Sequence, residues 1–159
     1  MKKIVMTPNP YRDKYFSYAR QAETILKEVG IETKTCLAFD VDKNFRLPDN
    51  VKLYDLDKEM QDADLLICFG GDGTILHASK AAMKANIPVL GVNIGTMGFM
   101  AELERGELSR LAPLAQGDFT VEKRMMLQEV RLRKLMSSIG KTDICPACEC
   151  QHIHFCRTG

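Results

Sequence analysis

The sequence predicts an α/β domain built on a mostly parallel sheet, and three observations carry that reading. Residues 63–69 are a nearly unbroken apolar run, interrupted only by Asp64, as in a central strand covered on both faces. The run enters Gly70-Gly71-Asp72-Gly73-Thr74, a helix-favouring stretch to Ala85 and a second apolar run over residues 87–92, which together make a βαβ unit. The same alternation of strand and helix precedes it in residues 2–39.

Residues 2–6 read as a short buried strand that Pro8-Asn9-Pro10 stops. From Tyr11 to Val29, the residues Tyr15, Tyr18, Ala19, Ala22, Ile25, Leu26 and Val29 recur at three- and four-residue spacing. That spacing predicts an amphipathic helix over 11–29, with Gly30 as its stop. Residues 31–39 alternate as a second strand, and the acidic stretch 40–50 reads as a surface loop. Thr74 is expected to cap a helix over 74–85, with Asn86 and Pro88 marking its exit. A second turn follows, Gly91-Val92-Asn93-Ile94-Gly95-Thr96-Met97-Gly98-Phe99, and then a short helix over 107–116 ended by Gly117. Residues 119–133 read as strand material that begins something new. The expected division is an α/β domain over 1–118, the first strand or strands of an incomplete β-rich domain over 119–133, and an irregular Cys-rich tail over 134–159.

Composition narrows the functional classes. The 159 residues are 45% hydrophobic and 27% charged with a formal net charge of +1, so no general field draws nucleic acid or an anionic membrane. Neither is expected as a partner. No stretch approaches 18 uninterrupted apolar residues, and the run after Met1 is too short for a signal peptide, so a cytoplasmic protein with reduced thiols is expected. The two ends differ. Residues 1–120 carry fifteen Lys and Arg against seventeen Asp and Glu with only Cys36 and Cys68, whereas residues 121–159 carry seven against four and hold Cys145, Cys148, Cys150 and Cys156.

Three glycines in four residues between a buried strand and a helix are expected to let the chain take positive φ and let another group approach the backbone. The amides beyond them suit a phosphate, and a tight turn without a ligand is the plainer alternative. Asp72 favours the first reading. A carboxylate among phosphate-binding amides is awkward unless it serves as a base, a metal partner or an acceptor for a hydroxyl. The lysine of a P-loop is missing, so a kinase acting on an alcohol is the expected chemistry. The second turn fails a dinucleotide fingerprint, with Asn93 where the first Gly would stand, but its position after the next strand aims it at the same crevice.

With both turns in view, the sequence resembles the NAD kinases, which transfer phosphate from ATP to the 2′-hydroxyl of NAD. The resemblance rests on Gly70-Gly71-Asp72-Gly73-Thr74 and, from Gly91, on the second turn through Met100-Ala101-Glu102; it runs to about Leu127, where Arg124-Met125-Met126-Leu127 looks like the entry to that family's β-rich C-terminal domain. It implies an N-terminal domain of NAD kinase type with only the start of its partner. It further implies Asp72 as general base; Asp72, Gly73, Leu76, His77, Thr96 and Phe99 at NAD; and Gly70, Gly71, Gly73 and Thr74 at the phosphates of ATP. His77 either faces the phosphates or is merely exposed. Asn93, Gly95 and Gly98 are expected to shape their loop. Mg²⁺ would accompany ATP, and a homo-oligomer is implied for the intact family protein. Because the first turn is shared with diacylglycerol- and sphingosine-type kinases, a lipid kinase is the alternative enzyme. The family's C-terminal domain supplies an Asn-Glu pair, yet no Asn follows Asn93, so a nucleotide-binding fragment without turnover is the other alternative.

Beyond Leu127 the family pattern is not expected to continue, as a shifted reading frame near residue 128 would produce. Cys145, Cys148, His154 and Cys156 are weak zinc candidates, since structural sites ordinarily separate their ligand pairs by a dozen or more residues.

Overall fold

The computed structural model describes residues 1–43, 45–49, 51–96, 98–127 and 150–158. Among the described residues seven strands form one sheet: β1 (Lys3–Pro8), β2 (Glu32–Thr35), β3 (Leu65–Gly70), β4 (Val89–Asn93), β5 (Leu103–Glu104), β6 (Phe119–Leu127) and β7 (Cys150–Thr158). Their order is β2-β1-β3-β4-β7-β6, with β5 also on β4. Every pairing is parallel except β6 with β7. Among the described residues the α-helices are α1 (Ser17–Glu28), α2 (Leu56–Glu59) and α3 (Asp72–Ala85), and 3-10 helices span Lys14–Phe16, Met60–Asp62 and Leu108–Gln116.

The central strands are buried along their whole length because both faces are covered. Ile4, Met6, Leu65, Ile67, Phe69, Leu90 and Val92 pack on one side with Ala19, Ala22 and Leu26 of α1 and with Leu108, Leu111 and Leu114. Val5, Leu66, Cys68 and Val89 pack on the other with Ile75, Ala78 and Ala82 of α3. Helices on opposite faces follow from the two-residue alternation of strand side chains.

Among the described residues the expected elements are present with shifted bounds; residues 128–149, which hold the end of the strand expected over 119–133 and most of the expected tail, lie outside them. The helix expected over 11–29 begins at Ser17, because a 3-10 turn over Lys14–Phe16 with positive φ at Tyr15 and Phe16 precedes it. Asp13 sets that start: its buried carboxylate accepts from Tyr18 N and Ala19 N at 3.1 Å each and from the Ser17 hydroxyl at 3.2 Å. Gly30 at φ 82° ends the segment as expected. The second strand shrinks to Glu32–Thr35, after which Cys36 forms an isolated parallel bridge with Tyr54.

The tail expectation needs correction over its last residues. Residues 150–158 are not irregular; β7 runs antiparallel to β6 and touches β4 at Val89–Phe155. Burial gives the reason, since Phe155 and Cys156 enter the cores on opposite faces of the sheet. Arg124 of β6 lies 4.5 Å over the Phe155 ring and pairs with Glu102 at 3.3 Å. Among the zinc candidates, Cys145 and Cys148 lie outside the described residues, while His154 is half-buried and Cys156 buried. Among the described residues, no three His, Cys, Asp or Glu side chains converge as a metal site. No helix among them is long and apolar enough to cross a membrane.

Candidate active site

The strand order fixes where a crevice opens. From β1 the chain turns outward to β2 on one side and returns to β3 on the other, with α1 and α3 on opposite faces. The loops after β1 and β3 therefore diverge, and the gap outside the strands' carboxyl ends is where open α/β sheets bind ligands. The loop after β4 completes it.

The loop after β3 departs from its sequence reading in two ways. None of Gly70, Gly71 or Gly73 has positive φ; what demands glycine at position 70 is space, since a Cβ there would fall 2.2 Å from Thr74 Oγ1. Thr74 does not cap the helix. Extended Gly71 occupies that position, α3 starts at Asp72, and buried Thr74 sits within the first turn, where its Oγ1 accepts from Asn9 Nδ2 at 2.9 Å. That bond ties the turn after β1 to the turn after β3.

Asn9 does more than latch. Its Oδ1 accepts from Tyr11 N at 3.0 Å, its carbonyl from Arg12 N at 3.2 Å and Asp13 N at 2.9 Å, and its own N–H donates to Phe69 O at 2.9 Å. The backbone as far as Asp13 is thereby anchored to the end of β3. Arg12 Nη1 reaches 3.0 Å from where a Cβ on Gly95 would sit and 3.9 Å from the corresponding point on Gly71.

In the loop after β4, Asn93 is 1% exposed and uses both ends of its amide. Nδ2 donates to both Glu104 carboxylate oxygens at 3.1 and 3.2 Å, while Oδ1 accepts from Gly95 N at 3.0 Å. Asp72 meets this loop directly. Its Oδ1 accepts from Met100 N at 3.0 Å, and Phe99 N lies 3.1 Å from both carboxylate oxygens. A Cβ on Gly98 would stand 3.1 Å from Asp72 Oδ1, so a side chain there would have to displace the carboxylate by a few tenths of an ångström. The carboxylate has about four lone-pair directions, and two N–H groups leave room for a hydroxyl donor.

The structure thus brings Asp72, Asn93, Gly95, Gly98 and Phe99 together across two loops. Phe99 is 86% exposed, Leu76 41% exposed, and Thr96 is exposed on the same loop as Phe99. His77 stacks on Phe39 with ring centroids 4.5 Å apart, a contact from the segment after β2 that its helical position does not announce. Asn9 and Arg12 are the site-lining residues missed by sequence reading. Their one signal was Pro8-Asn9-Pro10 at a strand's end, which reads equally well as a plain turn.

Fold and crevice define a parallel α/β domain with one carboxylate held between two glycine turns. The ATP-NAD kinase N-terminal domain matches residues 5–116, and the chain belongs to that family. It is 33% identical over 134 residues to the NAD kinase of Acetivibrio thermocellus, covering 84% of this chain and 45% of that one. It is 36% identical over 128 residues to the NAD kinase of Bacteroides fragilis, covering 79% and 44%. The chain thus spans less than half the length of these relatives. Yeast NADH kinase, solved in complex with NADH, shares the fold with a TM-score of 0.59 at 17% identity, over 96% of this chain and 46% of that one.

Proposed function

We propose that this chain supplies the phosphoryl-transfer half of an ATP-dependent NAD kinase, with Asp72 as the base. The observation that carries the proposal is the Asp72 carboxylate, oriented by Phe99 N and Met100 N at 3.0–3.1 Å between two glycine turns. In the reaction, the 2′-oxygen of NAD bonds to the γ-phosphorus of ATP as the bond from that phosphorus to the β,γ-bridging oxygen breaks, leaving ADP. The 2′-hydroxyl proton passes to Asp72. Catalysis of this kind comes mostly from positioning and charge stabilisation, so rigid loops matter more than covalent chemistry.

The residues present fit a magnesium ion carried by phosphates rather than one caged by protein. Asp72 is committed to Phe99 N, Met100 N and the acceptor hydroxyl, so Mg²⁺, which keeps several waters and binds substrate phosphates, would be held by the phosphates of ATP. There it would neutralise phosphate charge. Leu76, Thr96 and Phe99, all exposed, are assigned to NAD. A cytoplasmic location and a homo-oligomer completed by a further domain belong to the same proposal. The family match and the named relatives favour NAD over a lipid alcohol as acceptor.

The test joins residues 1–127 to the C-terminal half of the Acetivibrio relative and follows NADP formation from NAD and ATP. Turnover that Asp72→Asn abolishes supports the reading. Turnover of a diacylglycerol but not of NAD overturns it.

A further inference from the structure

We infer that Arg12 is a phosphate-binding residue of this crevice, with its guanidinium gripping the di- or triphosphate chain of the entering nucleotide; the inference rests on the function proposed above. Four observations lead there. First, the chain switches sides between β1 and β3, so the loop after β1 forms one wall of the gap, opposite the loop carrying Asp72. Second, Arg12 is delivered by a fixed backbone: Asn9 holds the N–H groups of residues 11, 12 and 13 through its side chain and carbonyl and is itself bonded to Phe69 and Thr74.

Third, the guanidinium lies between the two glycine turns. Nη1 is 3.0 Å from the Cβ position of Gly95 and 3.9 Å from that of Gly71, so the missing side chain at 95 leaves the space that the arginine crosses. Fourth, Arg12 forms no ion pair among the described residues, although Asp72 lines the same crevice and Asp13 follows it in sequence. Asp13 is buried under the start of α1 and is committed to Tyr18, Ala19 and Ser17. A planar, permanently charged fork without a carboxylate partner, set beside a proposed phosphate site, suits phosphate oxygens, to which it can bond in two parallel hydrogen bonds. The role differs from that of Asp72. Arg12 acts on the charge of the phosphate chain, whichever nucleotide carries it, while Asp72 acts on the hydroxyl.

The experiment titrates the 159-residue chain, its Arg12→Ala and its Arg12→Lys variants calorimetrically with ATP, inorganic tripolyphosphate, NAD and adenosine. Arg12 is exposed and forms no ion pair among the described residues, so circular dichroism melts are expected to coincide. Arg12→Ala is expected to weaken tripolyphosphate and ATP about tenfold if the donor's chain lies there, or NAD about tenfold if the acceptor's diphosphate does. Arg12→Lys is expected to recover part of the loss, and adenosine to bind all three chains alike. Equal affinity of wild type and Arg12→Ala for every phosphate ligand overturns this inference alone. So does an equal loss for adenosine. If the wild-type chain binds none of the nucleotides, the inference falls together with the reading it rests on.

Discussion

Asp72 and Phe99 meet across the crevice, with both carboxylate oxygens of Asp72 3.1 Å from the Phe99 backbone nitrogen. A side chain at the start of α3 thereby fixes the loop after β4, and that loop in turn fixes the carboxylate. Gly98 lets the two approach, since a Cβ there would stand 3.1 Å from Asp72 Oδ1. The proposed base is part of the scaffold that orients it, so a substitution at Asp72 bears on both roles, and activity is read beside stability.

Asp72→Asn replaces one acceptor oxygen by a donor that faces Phe99 N. In the full-length chimera, NADP formation is expected to fall by ~10²-fold or more, the usual scale for loss of a general base. The thermal midpoint should drop only modestly, because a solvent-accessible loop contact is lost rather than a core one. A variant that keeps most of its turnover refutes Asp72 as base.

The glycines of the first turn differ in sign. Gly70→Ala puts a Cβ 2.2 Å from Thr74 Oγ1 and 2.4 Å from Thr74 Cβ, and is expected to cost about 1–3 kcal/mol as overpacking. Gly73 lies in the first turn of α3 with nothing within 4 Å of its Cβ position, so Gly73→Ala is expected to stabilise by up to ~1 kcal/mol. Urea unfolding of the two variants beside wild type measures both.

Burial pushes the Asp13 carboxyl above its ordinary 3.8, with the bonds from Tyr18, Ala19 and Ser17 only partly offsetting the loss of water. The folded chain therefore holds this proton more tightly than the unfolded chain. Its contribution to stability is complete below the ordinary value and is lost as pH rises through the raised one. Relative to Asp13→Asn, wild type is expected to lose stability across that window. Parallel curves of unfolding free energy against pH would contradict the assignment.

Burial also pushes the thiols of Cys36, Cys68 and Cys156 up to about 12. At pH 8 only ~10⁻⁴ of each would be thiolate, the form that reacts. Alkylation with iodoacetamide followed by peptide mapping is expected to leave these three unmodified in native protein and to label them in urea. Rapid native labelling of Cys156 would show that β7 does not hold its place in the sheet.

The βαβ unit around the first glycine turn was legible because its signals are local: apolar runs over 63–69 and 87–92, glycines between them, and Asn86 to end the helix. Where distant atoms intervene, the same signals misled. Thr74 looked like a cap, yet Asn9 draws its hydroxyl inward while Gly71 ends the extended chain. Gly70 looked like a positive-φ residue, yet its constraint is the Thr74 side chain. The helix over 11–29 lost its first turns to the buried Asp13, which composition does not distinguish from any surface aspartate.

Residues 1–127 thus determined by themselves the strand and helix types and the two glycine turns with Asp72 between them, because periodicity, turn chemistry and motif spacing are written over a few residues at a time. Tertiary structure alone decided that β1 and β3 flank the switch point, that Arg12 enters the crevice, that His77 rests on Phe39, and that residues 150–158 close onto β6. Each depends on which strands become neighbours, a matter settled by burying both faces of the sheet at once.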